Sequence, residues 1–129
     1  MFVQRLDHYN IKASAAVLEN VKQFYINLLD LKEGFRPSFL GKGAWLYNGD
    51  HAIIHLSLVD SVKLETGAEP SLDHVAFRCT DYAACIEKLT EMKVAYQEFI
   101  IKELNLIQLF FRDPAGIRVE LNFLDPKGV

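Results

Sequence analysis

The chain is short of cysteine, of net charge and of long apolar runs, and each shortage removes a class of protein. Its only cysteines are Cys79 and Cys85, too few for a disulfide framework. They read as packing residues in a protein of the reducing cytoplasm. The net charge is −3 with no basic stripe, which argues against nucleic acid and anionic membrane as partners. No segment approaches the roughly 18 consecutive apolar residues of a membrane span. The opening Met1-Phe2-Val3-Gln4-Arg5 has no basic stretch followed by an apolar core, so it does not read as a signal peptide. What remains is ordinary for a globular protein: 50% apolar and 24% charged residues in a chain of 129, which suggests a single domain with a real core.

The most informative feature is a repeat. Leu-Asp-His occurs at Leu6-Asp7-His8 and at Leu72-Asp73-His74, 66 residues apart. A second correspondence falls at nearly the same offset: His55, within Ile53-Ile54-His55-Leu56, matches Glu120, within Arg118-Val119-Glu120-Leu121, 65 residues on. Three imidazoles and one carboxylate therefore occupy equivalent places in two halves of a duplicated chain. Any one of them alone reads as structural. The matched set points to a shared cause, and divalent metal binding is the chemistry these side chains have in common. His51 lies outside the pattern and is read as an exposed turn residue.

Each half reads as strand, helix and three strands. In the first, Leu6–Lys12 is extended and Ser14 is a candidate helix cap. A helix follows over Ala15–Leu29, with Val17, Val21, Phe24, Tyr25 and Leu28 on one apolar face. Strands are expected near Glu33–Pro37, Ala44–Tyr47 and Ala52–Leu58, with Asn48-Gly49-Asp50 as a hairpin turn. In the second half, Leu72–Cys79 is a strand and Asp81 a cap. The helix Tyr82–Met92 carries Tyr82, Cys85, Ile86, Leu89 and Met92 on one face. Strands follow near Ala95–Ile100, Ile107–Arg112 and Ile117–Phe123, with Asp113-Pro114-Ala115-Gly116 as the matching turn. The division is a first module over 1–59, a linker over 60–71, a second module over 72–123 and a tail over 124–129.

Strand alternation puts Ile54 and Leu56, or Val119 and Leu121, on the helix side. His55 and Glu120 then face the other way, as does His74 opposite Val75 and Phe77. His8 shares its face with Leu6 and Asn10. All four candidates can thus reach one concave face.

These motifs resemble the vicinal oxygen chelate superfamily, which includes glyoxalase I, extradiol dioxygenases, fosfomycin-resistance enzymes and bleomycin-resistance proteins. The resemblance rests on Leu-Asp-His-Tyr-Asn-Ile at the first strand, and on Phe24-Tyr25 followed by Leu28-Leu29 and Leu31. It rests also on Leu-Asp-His-Val-Ala-Phe from Leu72, and on Asp113-Pro114-Ala115-Gly116 followed by Arg118-Val119-Glu120-Leu121. It spans about Leu6 to Phe123. It implies an α+β fold of paired βαβββ modules forming a cup-shaped, incompletely closed β-barrel with the helices outside. It further implies a divalent ion (Fe, Mn, Ni or Zn) held by His8, His55, His74 and Glu120, a small-molecule substrate, and a homodimer. The modules pair either within one chain or across two.

The chain departs from glyoxalase I in carrying His55 where a glutamate is usual. The favoured activity is an extradiol-type dioxygenase acting on vicinal oxygens. One alternative is a glyoxalase I-like lyase or isomerase with Glu120 as the catalytic base. The other is a non-catalytic drug-binding protein whose cup is lined by Phe39, Trp45, Tyr47, Phe110 and Phe111. Arg78 and Arg112 have plausible inward parity but read more simply as exposed or interface residues.

Overall fold

The computed structural model describes residues 2–60, 72–112, 114 and 117–124. The expected linker, the turn at 113–116 and the tail lie largely outside the described residues. The elements run β1 (Val3–Ala13), α1 (Ala15–Leu29), β2 (Lys32–Gly34), β3 (Gly43–Asn48) and β4 (His51–Leu58). They continue β5 (Leu72–Cys79), α2 (Tyr82–Glu91), β6 (Gln97–Ile101), β7 (Leu106–Arg112) and β8 (Arg118–Leu124). This is the α+β, twice-βαβββ order expected. The strand order is β2-β3-β4-β1-β5-β8-β7-β6, a mixed sheet left open with β2 and β6 as its edges. The chain divides into two compact units, His8–Asp73 and Met1–Asp7 with His74–Val129. β1 therefore contributes to both.

In the unit His8–Asp73, β1 runs parallel to β4, with Asn10 opposite His55, and β4 runs antiparallel to β3, with Trp45 opposite His55. The core is Leu31, Ala44, Leu46, Ile54 and Leu56, closed by Leu18, Val21, Tyr25 and Ile26 of α1. The inward stripe of α1 thus differs from the expected one. Val17, Phe24 and Leu28 are exposed by 45%, 57% and 64%. The helix is apolar around too much of its circumference for periodicity alone to select a face, and the flat sheet covers only a narrow arc. Ser14 stands at the helix N-cap but its side chain makes no capping bond. Its carbonyl accepts the first helical bond, from the Leu18 amide at 2.8 Å. His51 is the first residue of β4, opposite Asn48 and half-buried, not an exposed turn residue. The strand expected to reach Pro37 stops at Gly34, before a short 3-10 turn over Ser38–Leu40.

In the other unit, β5 runs parallel to β8 and β8 antiparallel to β7. Cys79, Cys85, Leu89, Leu109, Leu121 and Phe123 form its core, with Tyr82 and Ile86 of α2 packed against it. Asp81 caps α2 as expected, accepting from the Ala84 amide at 3.3 Å, whereas Met92 falls at the helix end and is exposed. Strand alternation leaves His55 and Ser57 of β4, His74 and Arg78 of β5 and Glu120 and Asn122 of β8 on the face away from the helix.

Two outcomes follow from this packing. A Cβ at Gly43 would lie 2.1 Å from the Leu56 carbonyl oxygen, so Gly43→Ala forces β3 from β4. It is expected to cost about 1–3 kcal/mol, read as a lower urea midpoint. Burial pushes the Cys79 thiol up to about 11 and raises that of Cys85. Neither is expected to react with a disulfide reagent at pH 8 until the protein is unfolded. The folded state holds the Cys79 proton more tightly than the unfolded chain does. The stability it carries is therefore complete below the usual thiol value of 9.0 and lost as pH rises toward about 11.

Candidate metal centre

The four candidate ligands are all buried: His8 and His55 by their position on β1 and β4, His74 on β5 and Glu120 on β8, with Glu120 only 1% exposed. Each unit brings two of them together. In one, His74 Nε2 lies 3.2 Å from Glu120 Oε2. These strands run parallel with Ala76 opposite Glu120, so the imidazole and the carboxylate meet on the diagonal of one sheet face. Glu120 Oε1 accepts a hydrogen bond from Gln108 Nε2 on β7. A carboxylate buried in a sheet is costly unless its oxygens are occupied. Here the Gln108 carboxamide hydrogen-bonds Oε1. Oε2 lies near the His74 imidazole but makes no hydrogen bond, the kind of donor atom a metal ion would take up.

In the other unit, the His8 and His55 rings stack face to face, with centroids 3.5 Å apart and planes 14° from parallel. Trp45 stacks on the other side of His55 at 3.9 Å and 12°. His55 is therefore the middle ring of a three-ring stack. On the same face Asn10 Nδ2 donates to Ser57 Oγ at 3.2 Å.

The aspartates of the two Leu-Asp-His motifs have matching partners. Arg78 approaches Asp7 at 3.6 Å and Lys12 approaches Asp73 at 3.9 Å. Arg78 and Lys12 are themselves 66 residues apart, the same offset as the aspartates. Asn122 Nδ2 adds a bond to Asp7 at 3.2 Å. Arg78 thus has an internal carboxylate as its partner, and Arg112 is exposed on β7.

The aromatic candidates separate. Trp45 touches His55, and Phe110 meets His74 edge-on at 5.8 Å with the Arg118 guanidinium 4.0 Å over its ring. Phe111 joins the helix-side core, Tyr47 donates to the Phe35 carbonyl, and Phe39 is exposed. Gln108 and Asp7 were not among the sequence candidates. Counting back from the turn through the β7–β8 hairpin gives Phe110 opposite Glu120 and Gln108 opposite Asn122. That register was the available signal for Gln108. Among the described residues, no helix is long and apolar enough to cross a membrane.

No family model and no curated protein matches the chain. Solved structures do. The 2,3-dioxygenase LapB from Pseudomonas sp. KL28 is 20% identical with a TM-score of 0.72, covering 96% of this chain and 42% of its own. The Mn(II)-bound glyoxalase from Novosphingobium aromaticivorans is 16% identical at 0.70, covering 96% and 40%. Methylmalonyl-CoA epimerase from Mycobacterium tuberculosis is 23% identical at 0.67, covering 97% and 91%. The chain thus spans less than half of the dioxygenase and the glyoxalase and nearly all of the epimerase. With its two βαβββ modules and open eight-stranded sheet, the chain has the fold of the vicinal oxygen chelate superfamily that its repeated motifs implied.

Proposed function

We propose that the protein is a metal-dependent enzyme acting on a small organic substrate with vicinal oxygens, and that His8, His74 and Glu120 hold the metal. Each offers one ligand atom of the required kind, an imidazole nitrogen or a carboxylate oxygen. The observation that carries the reading is the His8–His55 stack. An imidazole binds a metal through a lone pair in the plane of its ring, at about 2.0–2.1 Å for zinc. Two rings stacked 3.5 Å apart cannot both point such a lone pair at one ion. An ion shared between them would lie far out of both planes. With His55 held between Trp45 and His8, the favoured set is two histidines and one carboxylate.

This donor set fits iron(II) or manganese(II). A divalent ion held there supplies Lewis-acid charge to two adjacent substrate oxygens. With three protein ligands, such an ion would retain open positions for a substrate with vicinal oxygens. The protein's own part is to exclude water with buried strands and to set the charge. Two neutral imidazoles and one carboxylate leave a net positive centre, which favours an anionic diol. Phe110, edge-on to His74, suits a flat aromatic substrate. The leading activity is therefore extradiol-type dioxygenation.

A second reading has its own support. The epimerase matches over nearly its whole length, whereas the dioxygenase matches over less than half. That reading is a lyase or isomerase that moves a proton next to a carbonyl, with Glu120 as base. A homodimer in the cytoplasm belongs to either reading. The exposed Val17, Phe24 and Leu28 of α1 give a second copy an apolar surface to cover, which sedimentation would detect.

Anaerobic reconstitution with iron(II) is expected to give one ion per chain. His74→Ala and Glu120→Gln should each weaken binding by 100-fold or more, whereas His55→Phe, which keeps a ring in the stack, should retain it. Loss of the ion in His55→Phe would restore the four-ligand set. Iron-loaded protein should consume oxygen with catechols. If a broad diol panel gives no uptake and a thiol adduct of an α-ketoaldehyde turns over anaerobically, the dioxygenase reading fails and the isomerase reading stands.

A further inference from the structure

We infer that Gln108 is a positioning residue that fixes which oxygen of Glu120 faces the metal, an inference that rests on the metal-centre reading above. Gln108 Nε2 donates to Glu120 Oε1, and Glu120 Oε2 faces His74 Nε2 at 3.2 Å. The two oxygens are therefore not equivalent. A carboxylate on a flexible side chain turns freely about its last torsion and binds a cation through one oxygen or through both. A carboxamide donor on Oε1 stops that rotation and lowers the electron density available at Oε1. Oε2 is left as the single donor on the His74 side. One-oxygen binding keeps a coordination position open that two-oxygen binding would fill, and the chelation proposed above needs that position.

The strand geometry makes Gln108 suited to the role. In the β7–β8 register Phe110 stands opposite Glu120 and Gln108 opposite Asn122, so the Gln108 side chain reaches Glu120 along the diagonal of one face. Leu109, next in sequence and fully buried, points into the helix-side core and pins the strand. The donor is thus set on a rigid element, not on a loop.

Metal-free protein titrated with cobalt(II), followed by its visible d–d absorption, tests the role. Gln108→Met keeps length and bulk but removes the donor. Gln108→Asn keeps the carboxamide but is one methylene too short to reach. Both are expected to bind cobalt about 10–100-fold more weakly than the unaltered protein. Their d–d bands should change, because the freed carboxylate can bind through both oxygens. The metal-free variants should stay folded, with a thermal midpoint lowered by the loss of one hydrogen bond to a buried carboxylate. Unchanged affinity and spectrum in Gln108→Met overturn the positioning role and leave the metal centre standing. Absence of cobalt binding by the unaltered protein overturns both. Loss of the metal-free fold in both variants makes Gln108 a structural residue and likewise overturns the inference.

Discussion

The constraint that orders the second half of the chain is the burial of one carboxylate. Glu120 is 1% exposed on β8, a strand with neighbours on both sides. Ionised and unpartnered, it would destabilise the sheet by several kcal/mol. Its surroundings answer that cost. β5 brings His74 to one oxygen and β7 brings Gln108 to the other. The opposite face of the same strand carries Leu121 and Phe123 into a core with Cys85 and Leu89 of α2. The alternation of β8 therefore separates a polar cluster from an apolar core across one strand's thickness. The helix-side packing holds the register that keeps the carboxylate beside its partners.

The duplication arranges charge in the same economical way. Each Leu-Asp-His motif is cut by the boundary between the units. Asp7 groups with Arg78 and Asn122, whereas His8 groups with His55. Asp73 groups with Lys12, whereas His74 groups with Glu120. The two ion pairs are one interaction written twice, at the repeat's own offset. In each motif the aspartate anchors its strand by a cation, and the adjacent histidine turns to the other set of partners. Neighbouring residues of a strand point to opposite sides, so a dipeptide of this kind serves both needs at once. The repeat of the aspartate together with the histidine, not of the histidine alone, follows from that pairing.

Much of this was legible in the sequence because period-2 alternation is a direct consequence of strand geometry. The helix-side placement of Ile54, Leu56 and Leu121, and the opposite placement of His55 and Glu120, needed only that rule. The Asp81 cap was legible because a single side chain determines it. The face of α1 was not. Its apolar residues surround most of the helix, and which of them meet the sheet depends on how the helix is rotated, a tertiary fact. The Ser14 hydroxyl makes no capping bond, although Ser14 stands at the N-cap and its carbonyl accepts the first helical bond from Leu18. His51 looked like part of a turn because the turn residues Asn48-Gly49-Asp50 precede it. The hairpin is tight enough that the ladder begins at His51 itself. Gln108 was invisible for a different reason: nothing marks a glutamine as functional until the register places it next to a buried acid.

The two halves are alike in backbone and unlike in chemistry, and the difference falls on the pair His55 and Glu120. At the first position an imidazole sits within a stack of aromatic rings. At the second a carboxylate sits between a hydrogen-bond donor and an imidazole. Had both positions been carboxylates, two buried negative charges would each have needed a partner, and a divalent ion would have been left neutral by its ligands. Had both been imidazoles, no anionic ligand would have been present to hold the cation tightly. On the metal-centre reading proposed above, one of each would let a divalent ion be held through one charged ligand and keep one positive charge. The stack between Trp45 and His8 turns the face of His55, not its lone pair, toward the His8 ring. The duplicated fold supplies four equivalent places, and the side chains at two of them decide that the places are used unequally.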